Sequence, residues 1–190
     1  MQRRLVDQSV ELFARHGIDA TSLQMIADAL GVTKGAVYYH FKTKDQIVRA
    51  VYADALRDVE AVVEQAEAVE SVASREQALE VLIPRIVALA VESRAIFSKI
   101  RFDPVMVRMM ADDERYRVLL QRLDRLFSGD APDAEDSVRA AAVVSALAGT
   151  PVHHGVSELH DEALRTHLTA IIDELVAPMF ASSRRRTNDG

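Results

Sequence analysis

Twelve residues from Thr33 to Lys44, TKGAVYYHFKTK, gather three aromatic rings, one histidine and three lysines in a chain that is 5% aromatic and has no tryptophan. Lysine ammoniums and tyrosine hydroxyls are partners for phosphate oxygens, and alanine and tyrosine can touch thymine methyls. This set therefore suits contact with a phosphodiester backbone and with base edges. It does not suit covalent catalysis. There is no cysteine, so thiolate ligands, thiol nucleophiles and disulfides are excluded. No glycine-rich phosphate loop and no Ser–His–Asp set at informative spacing occurs. His40 has no second metal ligand three or four residues away, and His153 and His154 are adjacent, which is poor geometry for a shared ion. No metal and no cofactor are expected.

Charge is distributed unevenly. Residues 1–50 hold seven Lys/Arg against five Asp/Glu, and residues 51–190 hold sixteen against twenty-four, so a mildly basic head precedes an acidic body within a net −6. A polyanion-binding module on a non-binding support has this asymmetry. Apolar residues make up 49%, enough for a real core. No apolar run reaches the length of a membrane span and no leader pattern is present, so the expectation is a soluble cytoplasmic protein without membrane partners.

The elements that must position the cluster read as helices throughout, giving an all-α fold class. The first helix carries Leu5, Val6, Val10, Leu12 and Phe13 and stops at Gly17. A short helix runs from about Leu23 to Leu30, capped by Thr21 or Ser22, with Thr21 and Gln24 at capping-box spacing. Gly31 ends it. Thr33 opens a third helix to about Phe41, and Thr43 with Gln46 opens a long one to about Glu70. Ser74 with Gln77 starts the next, which Pro84 is expected to kink. A Met- and Phe-rich piece spans 94–111 and breaks near Pro104. Asp112 is read as the cap of a helix ending at Ser128–Gly129. Helices over about 134–149 and 161–180 follow, then a polar tail.

Two short helices joined by a Gly-containing turn form a helix-turn-helix arrangement, whose second helix enters the major groove of DNA. Ile26, Ala27, Leu30, Val32, Val37 and Phe41 would face inward. The outer set is Thr33, Lys34, Ala36, Tyr39 and His40, with Tyr38 at the border and Gly35 clearing space for close approach. Ser22 and Gln24 at the start of the second helix would hold a phosphate, and Lys44 would serve another at the start of the fourth. Adjacent tyrosines cannot both point inward, so Tyr39 is expected to be exposed.

This stretch resembles the TetR family of bacterial transcriptional regulators. The likeness runs from Gly17 and Thr21 through MIADALGVTKGAVYYHFKTK to Ile47, about the first 50 residues. Gln24 departs from it, because arginine is frequent there, and only Arg3 and Arg4 precede the first helix. The resemblance implies an N-terminal DNA-binding domain (residues 1–45), a C-terminal helical ligand-binding and dimerisation domain (46–182) and a tail (183–190). It further implies a homodimer on a pseudo-palindromic double-stranded operator, repressing until a small molecule releases it.

Within that layout, the Met- and Phe-rich segment supplies candidate effector contacts: Phe97, Ile100, Phe102, Met106 and Met109, with Leu123 and Phe127 further on. Met side chains suit adaptable apolar cavities. Arg101 and His153 would meet a polar or anionic group, and the effector is expected to be apolar or amphipathic. Ala141, Val144 and Ala148 on one helix, and Leu164, Leu168, Ile171, Ile172 and Leu175 on the last, are candidates for the dimer interface. The alternatives are a DNA-binding regulator controlled by a protein partner and, more remotely, a small helical enzyme.

Overall fold

The structure, a computed structural model, describes residues 1–100 and 103–188; for Ile96, Lys99, Ile100 and residues 181–188 the description covers the backbone alone. Every regular element among the described residues is helical. Ten of these elements are α-helices: α1 Gln2–His16, α2 Leu23–Leu30, α3 Lys34–His40, α4 Lys44–Val72, α5 Arg75–Glu92, α6 Arg94–Ile100, α7 Pro104–Asp112, α8 Glu114–Ser128, α9 Ala134–Gly149 and α10 Asp161–Asn188. Two short 3-10 turns, Thr150–Val152 and His154–Val156, lie between α9 and α10. The chain forms two compact units, Met1–Arg57 with Ser93–Asp113, and Asp58–Glu92 with Glu114–Gly190. The division into compact units falls inside α4 and groups α6 and α7 with the first unit.

In the first unit α1, α2, α3 and the start of α4 close over Leu5, Phe13, Ile18, Ile26, Val37, Ile47 and Val48, all buried. Thr21 sits inside this core, where its hydroxyl donates to the Gly17 carbonyl at 2.8 Å, with that of Leu12 at 3.4 Å. It therefore pins the end of α1, and the cap of α2 is Ser22, whose hydroxyl accepts from Met25 N at 3.2 Å. The Thr21–Gln24 capping box does not form. At Thr43–Gln46 half of the box forms: Thr43 Oγ1 accepts from Gln46 N at 3.3 Å, while Gln46 Oε1 reaches one residue further back and accepts from Lys42 N at 2.7 Å.

In the second unit α5 packs on α10, α8 on α9 and α9 on α10. Leu79, Leu82, Leu126, Phe127, Val143, Leu168 and Ile172 fill the core. Ser74 caps α5 as expected, accepting from Gln77 N at 3.2 Å, and α5 continues through the exposed Pro84. Arg75 Nη1 donates to the Phe127 carbonyl at 2.7 Å and its guanidinium lies 5.0 Å from the Phe180 ring centre, joining the start of α5 to the end of α8 and to α10.

A row of ion pairs ties the distal half of α4 to α8. Arg115 meets Glu60 at 2.7 Å, Arg122 holds both oxygens of Glu67 at 3.0 and 2.6 Å, and Arg125 meets Glu70 at 2.7 Å. In these three pairs the partners are 55 residues apart, so the two helices run parallel in one register. The two bonds from Arg122 hold the Glu67 carboxyl below its ordinary value, and Glu67 in turn raises Arg122.

Two further expectations are corrected. Asp112 is the last residue of α7 rather than a cap of α8, and the break falls at Asp113. The helical backbone of α10 runs on to Asn188, through residues read as a tail. Ser, Arg and Thr interrupt nothing by themselves, and arginine is a good helix former.

Candidate nucleic-acid interface

The α2–α3 turn is made by local rules. Gly31 has φ 65° and ψ 32°, a left-handed conformation that a Cβ would resist, and its N–H donates to the Ala27 and Asp28 carbonyls. Val32 N returns to the Ala27 carbonyl at 3.0 Å. Thr33, extended, then caps α3 by accepting from Ala36 N at 3.2 Å. Val37 and Phe41, one turn apart, are both buried and fix which side of α3 faces the core.

The opposite side is open. Tyr39 is 78% exposed and Tyr38 40% exposed. Thr33, Lys34 and Gly35 are exposed, and Ala36 and His40 are half-buried. The Tyr39 ring stands edge-on to His40, with ring centres 5.1 Å apart. Lys34 Nζ lies 5.6 Å from the Tyr38 ring centre, a cation–π contact that keeps the ammonium beside the tyrosine. Gly35 has an ordinary φ, and a Cβ built on it would meet only Thr33 Oγ1, at 3.7 Å. The fold therefore has no internal need of glycine there.

Two expected phosphate partners have internal duties. Lys44 Nζ donates to the carbonyls of Ile18 at 2.7 Å and Asp19 at 2.9 Å, tying the start of α4 to the loop after α1. An ammonium has three N–H groups, so one is left for an outside acceptor. Gln24 Nε2 donates to Asp28 Oδ1 at 2.7 Å. Gln24 with Asp28 and Lys34 with Tyr38 are both i,i+4 pairs, and that spacing is the signal of them in the sequence. Ser22 is exposed, with its oxygen engaged as the α2 cap.

The candidate effector residues divide between the two units. In the first, Met106 is buried in the core, and Phe97 and Met109 are half-buried. In the second, Leu123 and Phe127 are core residues; His153 is exposed, its Nδ1 accepting from Gly155 N at 3.0 Å. Arg101 and Phe102 lie outside the described residues, as does the side chain of Ile100. Of the candidate dimer residues, Leu164, Leu168 and Ile172 are buried in their own unit, because α5 and α9 cover that side of α10. Ala141 and Ala148 are exposed, Ile171 is 50% exposed, and Val144 and Leu175 are half-buried.

Residues 5–51 match the family described as bacterial regulatory proteins, tetR family. The head is a TetR-family domain. Over 51 residues it is 39% identical to the HTH-type transcriptional regulator AcrR of Shigella flexneri, covering 27% of this chain and 24% of that protein. Over 52 residues it is 40% identical to the HTH-type transcriptional repressor KstR2 of Mycolicibacterium smegmatis, covering 27% and 25%. The aligned stretch thus spans about a quarter of each of these relatives. Likeness of fold extends further. The crystal structure of the TetR family transcriptional regulator PfmR from Thermus thermophilus superposes with a TM-score of 0.60 at 24% identity, covering 92% of this chain and 97% of that one. The ketosteroid transcriptional regulator KstR2 of Mycobacterium tuberculosis gives 0.67 at 18% identity, covering 90% and 92%. At these identities the likeness establishes that a TetR-family head is followed by a helical body. The relatives and neighbours named are transcriptional regulators, not enzymes.

Proposed function

We propose that the chain is a DNA-binding transcriptional repressor, acting in the cytoplasm as a homodimer on a pseudo-palindromic operator and released by a small apolar or amphipathic effector. The observation that carries DNA binding is the outer face of α3 in a TetR-family head. Tyr39, opposite the buried Val37, stands 78% exposed beside the cleared position at Gly35 and is flanked by Tyr38 and Lys34. Among the described residues only His40 uses that ring, and a major groove would.

The dimer reading is supported by apolar positions that the second unit leaves uncovered: Val138 at 69% and Ile171 at 50% exposure, with Ala141 and Ala148 exposed on α9. The effector reading is supported by the half-buried Phe97 and Met109 and by the ketosteroid regulator among the structures of like fold. Among the described residues no helix is long and apolar enough to cross a membrane, in keeping with work on DNA inside the cell.

The test is binding of the purified full-length chain to duplexes from its own upstream region, followed by fluorescence anisotropy across a salt series. Affinity should fall steeply as salt rises, since each neutralised phosphate releases counterions. A protein with no sequence preference over random duplex at any salt concentration would defeat the reading.

A further inference from the structure

The outward face of α3 is unusual in what it lacks. With 3.6 residues per turn, Gly35 and Tyr39 point most directly away from the buried Val37, and Ala36 and Tyr38 flank them. Sequence reading in a major groove rests largely on bidentate pairs: arginine or lysine to guanine, asparagine or glutamine to adenine, a carboxylate to cytosine. Between Thr33 and Phe41 there is no arginine, asparagine, glutamine, aspartate or glutamate. The carboxamide that α2 brings, Gln24, already donates to Asp28. The Thr33 oxygen already accepts from Ala36 N. Lys34 lies beside the Tyr38 ring, at the flank of the face rather than at its centre.

What remains at the centre is a methyl group, a ring and a gap. The gap at Gly35 answers to nothing among the described residues, since an added Cβ would touch only Thr33 Oγ1 at 3.7 Å. Its purpose lies with whatever approaches from outside. No Tyr39 side-chain atom comes within 4 Å of a Cβ built on Gly35, so the position stays open on the helix surface, with Tyr39 and Ala36 next to it on the helical wheel. In the major groove the one apolar feature that distinguishes a base is the 5-methyl group of thymine.

We infer that the operator half-site is read chiefly through thymine 5-methyl groups seated against the Ala36 methyl and the Tyr39 ring, with Gly35 admitting the close approach. This rests on the head binding duplex DNA, and the experiment separates the two. The full-length protein is used to select duplexes from a random library. In the selected sequence each thymine is then replaced, one at a time, by deoxyuridine, which lacks only the methyl. Phosphates and hydrogen-bonding edges are unchanged.

One or two positions per half-site should lose roughly fourfold in affinity on that replacement, as expected for one buried methyl. A 5-methylcytosine in place of cytosine at the same position should bind more tightly than cytosine. Tyr39→Phe should keep the thymine-to-uracil ratio, because the ring and not the hydroxyl reads the methyl. Ala36→Gly should flatten the ratio at one position, and a thermal melt of the variant shows that it is folded. If a defined sequence is selected but thymine and uracil bind alike at every position, the methyl inference is overturned and DNA binding stands. A ratio abolished by Tyr39→Phe overturns it also. If no sequence is selected at all, the DNA-binding reading fails and this inference with it.

Discussion

The outer face of α3 and the row between α4 and α8 use polar side chains in opposite ways. On α3, Tyr39 and Lys34 have no partner outside their own helix among the described residues and stand ready for an external surface. Between α4 and α8, Arg115, Arg122 and Arg125 are matched to Glu60, Glu67 and Glu70. The first region sacrifices internal contacts to stay available; the second uses charge to hold two helices in place. A mutation should therefore show up as affinity in one region and as stability in the other.

The largest expected effect is on binding. Tyr39→Ala should cost about 2 kcal/mol of operator affinity, roughly thirtyfold, as for an aromatic anchor. Its melting temperature should stay close to that of the parent, because the ring is mostly exposed. A large drop in melting temperature would place Tyr39 among the structural residues and erase the contrast. Next, Arg122→Ala should destabilise by about 1–2 kcal/mol, between the values for exposed and buried pairs, because it leaves a half-buried Glu67 carboxylate without its two bonds. Urea unfolding measures it.

Gly35→Ala sharpens the comparison most, because its two effects have opposite signs. Replacing a helical glycine whose Cβ has room should stabilise the fold by roughly 0.5–1 kcal/mol. The same methyl should weaken operator binding. Both effects having the same sign would remove the argument that the gap serves DNA. The smallest effect concerns acid. Glu67 has a lowered folded value, so its contribution is complete above the ordinary carboxylate range and disappears as pH falls through the folded value. Arg122→Ala should therefore differ from the parent at neutral pH and converge with it in strong acid. A gap between the two that did not narrow would assign the loss to packing.

These two regions also differ in how far the sequence reveals them. The α2–α3 turn is legible because its signals are local: Ser22, Gly31 and Thr33 act on groups within four residues. The exposure of Tyr39 follows from its place beside Tyr38 and two residues from Val37. Lys44 was harder, since its carbonyl partners lie 25 and 26 residues away. The ionic row is hidden for the same reason: no periodicity in the sequence pairs Glu60 with an arginine 55 residues on. The stripe on α10 shows a third limit. Apolar spacing finds Leu164, Leu168, Ile171 and Ile172 together, but only tertiary packing decides that Ile171 is left outside.

The spacing within the ionic row carries one more consequence. The glutamates at 60, 67 and 70 and the arginines at 115, 122 and 125 are separated by seven and three residues, so the pattern is not evenly repeated. It works as a vernier: all three marks coincide at a single setting. Advancing α8 by three residues would keep one match within the row, Arg125 with Glu67, already 3.8 Å apart, and would set Arg122 against Glu64, which lies outside the row. A shift of seven would keep one, Arg122 with Glu60. The uneven spacing thus favours one register of α8 along α4, the one in which every mark of the row is matched.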